Sequence, residues 1–299
     1  MCAKIELVIK VKVLVSKTCG LCYGSNKAIT KTRESLNVKK NVVLYKEILH
    51  NQNVINELEK NNVRTINELS DIKEKDYVII RAHGEPYSTY EYFKNNNISY
   101  LDCTCPNVTN IHNLVNKYNN LNYKIIIIGK KNHPEVLGTK GWCNEPFIVE
   151  KEEDIKNINT DFNKYFLVIQ TTFNNDKALN LLDKIKNHLN GKVLEYKNTI
   201  CNAQKLINDD SIKLADEVDL MVVIGGKHSS NSIELYNNIS KIKKAIFIEN
   251  INEIDTYIST GYFNDIKKIG ITAGASTLKE DIAQVKRKLE SLQLDTLNK

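Results

Sequence analysis

Three times along this chain a cysteine follows a strand-like run and is itself followed by the same spacing. An apolar run begins 20 residues after each: at 42–45 after Cys22, at 125–128 after Cys105, and at 221–224 after Cys201. A polar group (His50, His133 or Ser229) stands 28 residues after the same cysteine. Chance would have to place strands and polar residues in register three times. The spacing therefore predicts three related α/β units, over residues 1–96, 97–195 and 196–299. It also selects Cys22 over Cys19 within TCGLCYG at 18–24.

The intervening pattern fits that reading. Strands are expected at VKVLV (11–15), NVVLY (41–45), DYVII (76–80), ISYL (98–101), KIIII (124–128), YFLVI (165–169), VLEY (193–196), LMVVI (220–224), AIFI (245–248) and KIGIT (268–272). Several are continuous apolar runs, as parallel strands covered on both faces require. Helix-like stretches alternate with them, among them 176–189 and 277–292, the latter with Thr277 and Glu280 in capping-box spacing. Alternation of strand and helix is the mark of an α/β fold.

Open α/β sheets carry their functional residues beyond the carboxyl ends of the strands. Three such units around a pseudo-threefold axis would aim Cys22, Cys105 and Cys201 at one point. Three thiolates suit a zinc ion with an open position or an iron–sulfur cluster with one iron not held by cysteine, and ligand type leaves both open. The seven cysteines are an odd number, and ligands or buried thiols fit them better than disulfides. Past other strands stand HN (50–51), AHG (82–84), NHPE (132–135), QTT (170–172), HSSNS (228–232) and TAGAS (272–276). Ser230 and Asn231 are expected to open one helix and Ser276 another. Hydroxyls lining several helix starts imply a multiply charged anion such as a diphosphate.

These motifs resemble the 4-hydroxy-3-methylbut-2-enyl diphosphate reductase family. The likeness runs from about residue 11 to 290 through GLCYG, LHN, AHG, DCTCP, NHPEVLGT, QTT, TICNA, SSNS and TAGAS in order. It implies a trefoil of three α/β domains around one [4Fe–4S] cluster per chain, held by Cys22, Cys105 and Cys201. It implies that His50, His83 and His133 contact the diphosphate and that Ser229, Ser230, Asn231 and Ser276 hydrogen-bond it. Glu135 would relay a proton to the substrate hydroxyl, with Thr171 beside it and Gln170 lining the pocket. The implied reaction is reductive dehydroxylation to isopentenyl and dimethylallyl diphosphate, the last step of the non-mevalonate pathway. No nucleotide motif is visible, so ferredoxin or flavodoxin is the expected electron donor.

The chain departs from the family's usual pattern at Leu21 and Ser25, and at Gln204 and Lys205 where threonine and then arginine are usual. These changes keep a second reading in view, a cluster-containing diphosphate-binding or sensing relative without turnover. A zinc hydrolase is a third. The net charge of +6 suits an anionic metabolite or an acidic protein partner. No basic stripe with interleaved aromatics argues for nucleic acid. No apolar stretch reaches the ~18 residues of a membrane span, and charges run through the first fifteen residues, so a cytoplasmic protein is expected. Cys19 and Cys103 are expected as oxidation-sensitive bystanders, His112 as a surface or packing residue, His188 as a helix-end cation and Trp142 as core.

Overall fold

The central strands form where the apolar runs lie. A computed structural model of the protein describes residues 9–48 and 52–294. The strands are β1 (Ile9–Lys10), β2 (Lys12–Val15), β3 (Val42–Tyr45), β4 (Arg64–Ile66), β5 (Tyr77–Ile80), β6 (Ser99–Asp102) and β7 (Lys124–Ile128). They continue as β8 (Phe147–Val149), β9 (Lys164–Ile169), β10 (Val193–Tyr196), β11 (Leu220–Ile224), β12 (Ala245–Ile248), β13 (Lys268–Ala273) and β14 (Gln293–Leu294). The helices are α1 (Tyr23–Val38), α2 (Gln52–Lys60), α3 (Tyr87–Asn95), α4 (Pro106–Asn120) and α5 (Pro134–Lys140). After them come α6 (Asn175–Leu189), α7 (Asn202–Glu217), α8 (Ser230–Ser240), α9 (Glu253–Ser259) and α10 (Lys279–Glu290).

The strands build three parallel four-stranded sheets, ordered β4-β3-β5-β6, β8-β7-β9-β10 and β12-β11-β13-β2, and an antiparallel pair β1-β14. All ten expected strands are present. The central pair of each sheet is β3 and β5, β7 and β9, or β11 and β13. The central strands β3, β7, β9, β11 and β13 are buried almost throughout, whereas the edge strands β4, β6 and β10 are mostly exposed. That contrast is why the central strands read as unbroken apolar runs.

The chain forms two compact units. One comprises Met1–Cys22, His50–Gln52 and Asn202–Lys299, and its described part holds the β12-β11-β13-β2 sheet. Leu220, Val222, Ile224, Ile269 and Ile271 fill one face of that sheet, while Met221 and Val223 pack the other against Leu214, Ala215, Leu235 and Ile239 of α7 and α8. The other unit comprises Tyr23–Leu49 and Asn53–Cys201 and holds the remaining two parallel sheets. There Ile126, Ile128, Leu167 and Ile169 face α6, and Ile125, Ile127, Phe166 and Val168 face α4. Alternate residues thus serve opposite faces. Each such side chain contributes roughly 1.5–3 kcal/mol relative to exposure.

Sheet membership does not follow chain order. β6, just beyond residue 96, hydrogen-bonds to β5, and β2, near the start of the chain, hydrogen-bonds to β13. β10, which spans residue 195, pairs with β9.

The expected capping box is absent. Leu278 is the N-cap of α10 without a side-chain cap, because the Thr277 hydroxyl is buried and donates to the Ile224 carbonyl at 3.2 Å. The N-cap of α8 is Ser229, so Ser230 and Asn231 are its first two residues. α10 begins three residues after Ser276. No helix of the described residues is long and apolar enough to cross a membrane.

Candidate active site

Each expected cysteine follows the outer strand that completes a sheet and precedes a long helix. Cys22 lies between β2 and α1, Cys105 between β6 and α4, and Cys201 between β10 and α7. In the first unit, the Cys22 loop is pinned to the loop after β13. The amides of Gly20, Leu21 and Cys22 donate to the carbonyls of Ala273, Thr277 and Ala275. In the second, the Cys105 amide donates to Ala82 at 2.9 Å and that of Cys201 to Thr171 at 2.7 Å. Asn107 Nδ2 donates to Cys201 Sγ at 3.4 Å. A methyl group at Gly24 would lie 2.8 Å from Cys105 Sγ, so only glycine leaves that sulfur uncrowded. The described cysteines form no disulfide.

Sheet β8-β7-β9-β10 carries the strongest chemistry. His133 caps α5, its Nδ1 accepting from the Glu135 amide at 3.1 Å. The neutral ring therefore keeps its proton on Nε2, the atom that can donate to an anion. Glu135 follows in the first turn, 2% exposed. Its two oxygens accept from the Thr171 amide at 2.7 Å and the Thr171 hydroxyl at 2.6 Å. Burial pushes the Glu135 carboxyl up to about 7, against the Thr171 hydrogen bonds that hold it down. A group poised there can give or take a proton near neutral pH. Gln170, 3% exposed, accepts from the Lys130 amide at 3.0 Å and donates to the Thr172 hydroxyl at 2.8 Å, so its amide is fixed. The ring of His83, after β5, lies edge-on to His133 with centroids 5.5 Å apart. This unit thus brings His83, His133, Glu135, Gln170 and Thr171 together.

Two residues after His83, Glu85 is 1% exposed and takes ion pairs from Lys46 and Arg81, each at 2.9 Å. Trp142 donates to the Glu85 carbonyl and stacks on His112. His112 is a packing residue, and burial lowers its pKa to about 4. Trp142 is half-buried and packs against the core beside α4, as expected.

In the first unit, Ser229 caps α8, its Oγ accepting from the Ser232 amide at 3.4 Å. Ser232 is fully buried, and a methyl group at either Gly225 or Gly274 would collide with its hydroxyl. The loops after β11 and β13 therefore close on the first turn of α8. Asn231 is half-buried, and Gln204 Nε2 donates to its carbonyl at 3.2 Å. Ser276 lies in the same post-β13 loop. His50 lies outside the described residues, and only the backbone position of Ser230 is described.

One expectation is corrected. Cys103 is buried, and burial together with Asp102 pushes its thiol up to about 11. Burial also raises the Cys19 thiol, with Lys279 opposing. Both stay protonated at neutral pH and are poor nucleophiles, not oxidation-sensitive groups. His188 stands in the last turn of α6, as expected, and its Nε2 also lies 3.0 Å from the Ile158 carbonyl. Sequence reasoning missed Asn107 and Gly225, and gave no role of their own to Gly24, Ser232 and Gly274 inside GLCYG, HSSNS and TAGAS. Their contacts in space show what they do.

The profile of the family described as LytB protein matches residues 13–290. The 4-hydroxy-3-methylbut-2-enyl diphosphate reductase of Clostridioides difficile (strain 630) is 36% identical over 285 residues, covering 94% of this chain and 99% of that protein. The protein of that name from Caldanaerobacter subterraneus subsp. tengcongensis is 39% identical over 288 residues, covering 94% and 98%. A solved (E)-4-hydroxy-3-methyl-but-2-enyl diphosphate reductase, described as the terminal enzyme of the non-mevalonate pathway, superposes with a TM-score of 0.76 at 33% identity over 94% of this chain and 100% of that one. The E-1-hydroxy-2-methyl-but-2-enyl-4-diphosphate reductase of Plasmodium falciparum gives 0.78 at 29% identity over 93% and 86%. With the three-sheet α/β fold, these matches establish that the chain belongs to the LytB family.

Proposed function

We propose that this chain reduces 4-hydroxy-3-methylbut-2-enyl diphosphate to isopentenyl and dimethylallyl diphosphate. The substrate takes up two electrons and two protons, its allylic C–O bond breaks, and the oxygen leaves as water. The observation that carries the reading is the buried Glu135 carboxyl, clasped by Thr171 and protonated in part near neutral pH. A protein that only bound an anion would gain nothing from a buried acid.

Membership of the family implies an iron–sulfur cofactor. In this reading Cys22, Cys105 and Cys201 hold one [4Fe–4S] cluster, one cysteine from each of the units 1–96, 97–195 and 196–299. The residues fit such a group. The thiols are not in disulfides, Gly24 leaves the Cys105 sulfur uncrowded, and Asn107 donates to the Cys201 sulfur as amides do to cluster thiolates. Among the described residues no three His, Cys, Asp or Glu side chains could hold a single metal ion; cluster cysteines each ligate a different iron. Bound there, the cluster supplies the electrons and a Lewis-acidic iron.

The remaining work falls to the protein. His50, His83 and His133 meet the negative diphosphate, His133 through its Nε2 proton. Ser229, Ser230, Asn231 and Ser276 hydrogen-bond the phosphate oxygens at the start of α8, where the helix dipole favours an anion. Glu135 passes its proton to the departing oxygen, while Thr171 fixes the carboxyl and Gln170 holds the pocket wall. Ferredoxin or flavodoxin delivers the electrons, in the cytoplasm.

The test is anaerobic turnover of the cluster-reconstituted protein with 4-hydroxy-3-methylbut-2-enyl diphosphate and a reduced viologen. Substrate-dependent bleaching with formation of both five-carbon diphosphates is the expected result. A full iron and sulfide complement without turnover would replace the reading with a binding or sensing relative. Bound zinc in place of iron would point to a hydrolase.

A further inference from the structure

The helix that follows the first cysteine starts in contact with the second. α1 opens with Tyr23 and Gly24, and it is Gly24 that abuts Cys105 Sγ. Tyr23 is 72% exposed, although aromatic side chains usually bury most of their surface. Residues four apart share a helix face, so Tyr23, Lys27 and Lys31 form one row. Both lysines follow Gly24 on α1, about one and two turns beyond its contact with Cys105 Sγ. Neither has an ion pair among the described residues.

The surroundings of this row carry little opposing charge. The first turns of α4, beside Cys105, expose Pro106, Asn107, Thr109 and Asn110, all uncharged. Asp102, exposed at the end of β6, accepts from the amide and hydroxyl of Thr104. Arg33 on α1 is neutralised by Glu57 at 2.6 Å, and the exposed Glu34 lies a turn beyond the row. An exposed tyrosine flanked by lysines combines an aromatic contact with electrostatic steering, the pair that makes a transient interface fast and specific.

We propose that the Tyr23–Lys27–Lys31 face of α1 is the docking surface for an acidic protein that carries a one-electron redox centre. The inference rests on the reductase reading, in which each turnover consumes two electrons. Two carrier molecules dock in succession, each oxidised by one electron, and the two electrons with two protons replace the C–O bond by a C–H bond and release water. The face is suited to this because it borders a cysteine assigned to the cluster.

The experiment compares the wild type with the Lys27→Glu/Lys31→Glu and Lys27→Arg/Lys31→Arg double variants, using an acidic ferredoxin as probe. Calorimetry reads ferredoxin binding at low and high salt. Turnover is then followed with reduced ferredoxin and, separately, with reduced methyl viologen, which needs no docking surface. Charge reversal should weaken ferredoxin binding at least about tenfold, as expected when steering charges are inverted, and abolish its salt dependence. It should raise the KM for ferredoxin and leave viologen-driven turnover unchanged, while the arginine variant behaves as wild type. Unchanged ferredoxin binding on charge reversal, or an equal fall in both turnover rates, would overturn the proposal. A wild type that turns over with neither reductant would defeat the reductase reading, and the binding comparison would still decide whether this face docks the carrier.

Discussion

Sheets β8-β7-β9-β10 and β12-β11-β13-β2 offer the same backbone slots and fill them with different chemistry. Each central first strand ends in glycine, Gly129 or Gly225, and four residues later comes a helix N-cap, His133 or Ser229. Two residues beyond each cap stands Glu135 in one sheet and Asn231 in the other. Three beyond, Val136 or Ser232 packs against the strand-end glycine. The third strand is followed by Gln170 in one case and Gly274 in the other. Where Gln170 fills the space with an amide tied to Lys130, Gly274 lets the Ser232 hydroxyl close in. The repeated sheet sets where a side chain appears, and one or two neighbours decide whether it titrates. Glu135 is sealed in and shares its proton near neutrality, while Asn231, half-buried in the matching slot, only hydrogen-bonds.

Making the two slots alike should have the largest effect. Glu135→Gln keeps an acceptor for the Thr171 amide and removes the proton, so turnover should fall by about 10²–10⁴ with substrate affinity retained. The same variant tests the electrostatics. The folded-state pKa of Glu135 is raised from 4.5 to about 7, so its protonated form stabilises the fold fully below pH 4.5 and this contribution is lost as pH rises towards 7. On the order of 3 kcal/mol of pH dependence is involved. Denaturant titrations across that window should show the slope in the wild type and its disappearance in the variant; a slope retained by Glu135→Gln would assign it elsewhere.

A smaller effect should come from giving the second slot the bulk of the first. Gly274→Ala drives a methyl group into the Ser232 hydroxyl and should cost about 1–3 kcal/mol of stability. It should also weaken diphosphate binding, since the first turn of α8 must shift. A melting temperature equal to that of the wild type would show the loop free to yield. The smallest change is Thr171→Val, which removes one of two hydrogen bonds to Glu135 and keeps the other. Because that bond lowers the carboxyl's pKa, the alkaline limb of the rate profile should move to higher pH with less than about a tenfold loss of rate. A limb that moves to lower pH would contradict the assignment of Glu135 as the titrating group.

The sheets were largely legible in the chain and the site only in part. The ten expected strands read clearly because most are covered on both faces or lie next to strands that are. The strands left unread, β1, β4, β8 and β14, have two or three residues each, too few to show a period. The 28-residue spacing was readable because it measures one helix and one strand, and it holds wherever the sheet recurs. It brought out His133 and Ser229 from a sequence of many polar residues. Glu135 came into view only through its motif, since nothing in a sequence reports that a carboxylate will be sealed in. Thr277 shows the opposite failure: a correct local signal for a helix cap lost to a stronger demand from the core.

β2 and β13 are neighbours in space and 256 residues apart along the chain, Lys12 pairing with Lys268. On the ribosome, β2 emerges first and waits for its partner. At about 5–20 residues per second the wait is roughly 13–50 seconds, during which an apolar strand has no sheet to join. The sheets built by β3–β6 and β7–β10 have all their strands in hand long before. Synthesis therefore completes the acid-bearing half of the molecule early and leaves the Cys22 loop to be set last, when β13 arrives. Supply of metal to a nascent chain would find two cysteines already placed and the third still to come.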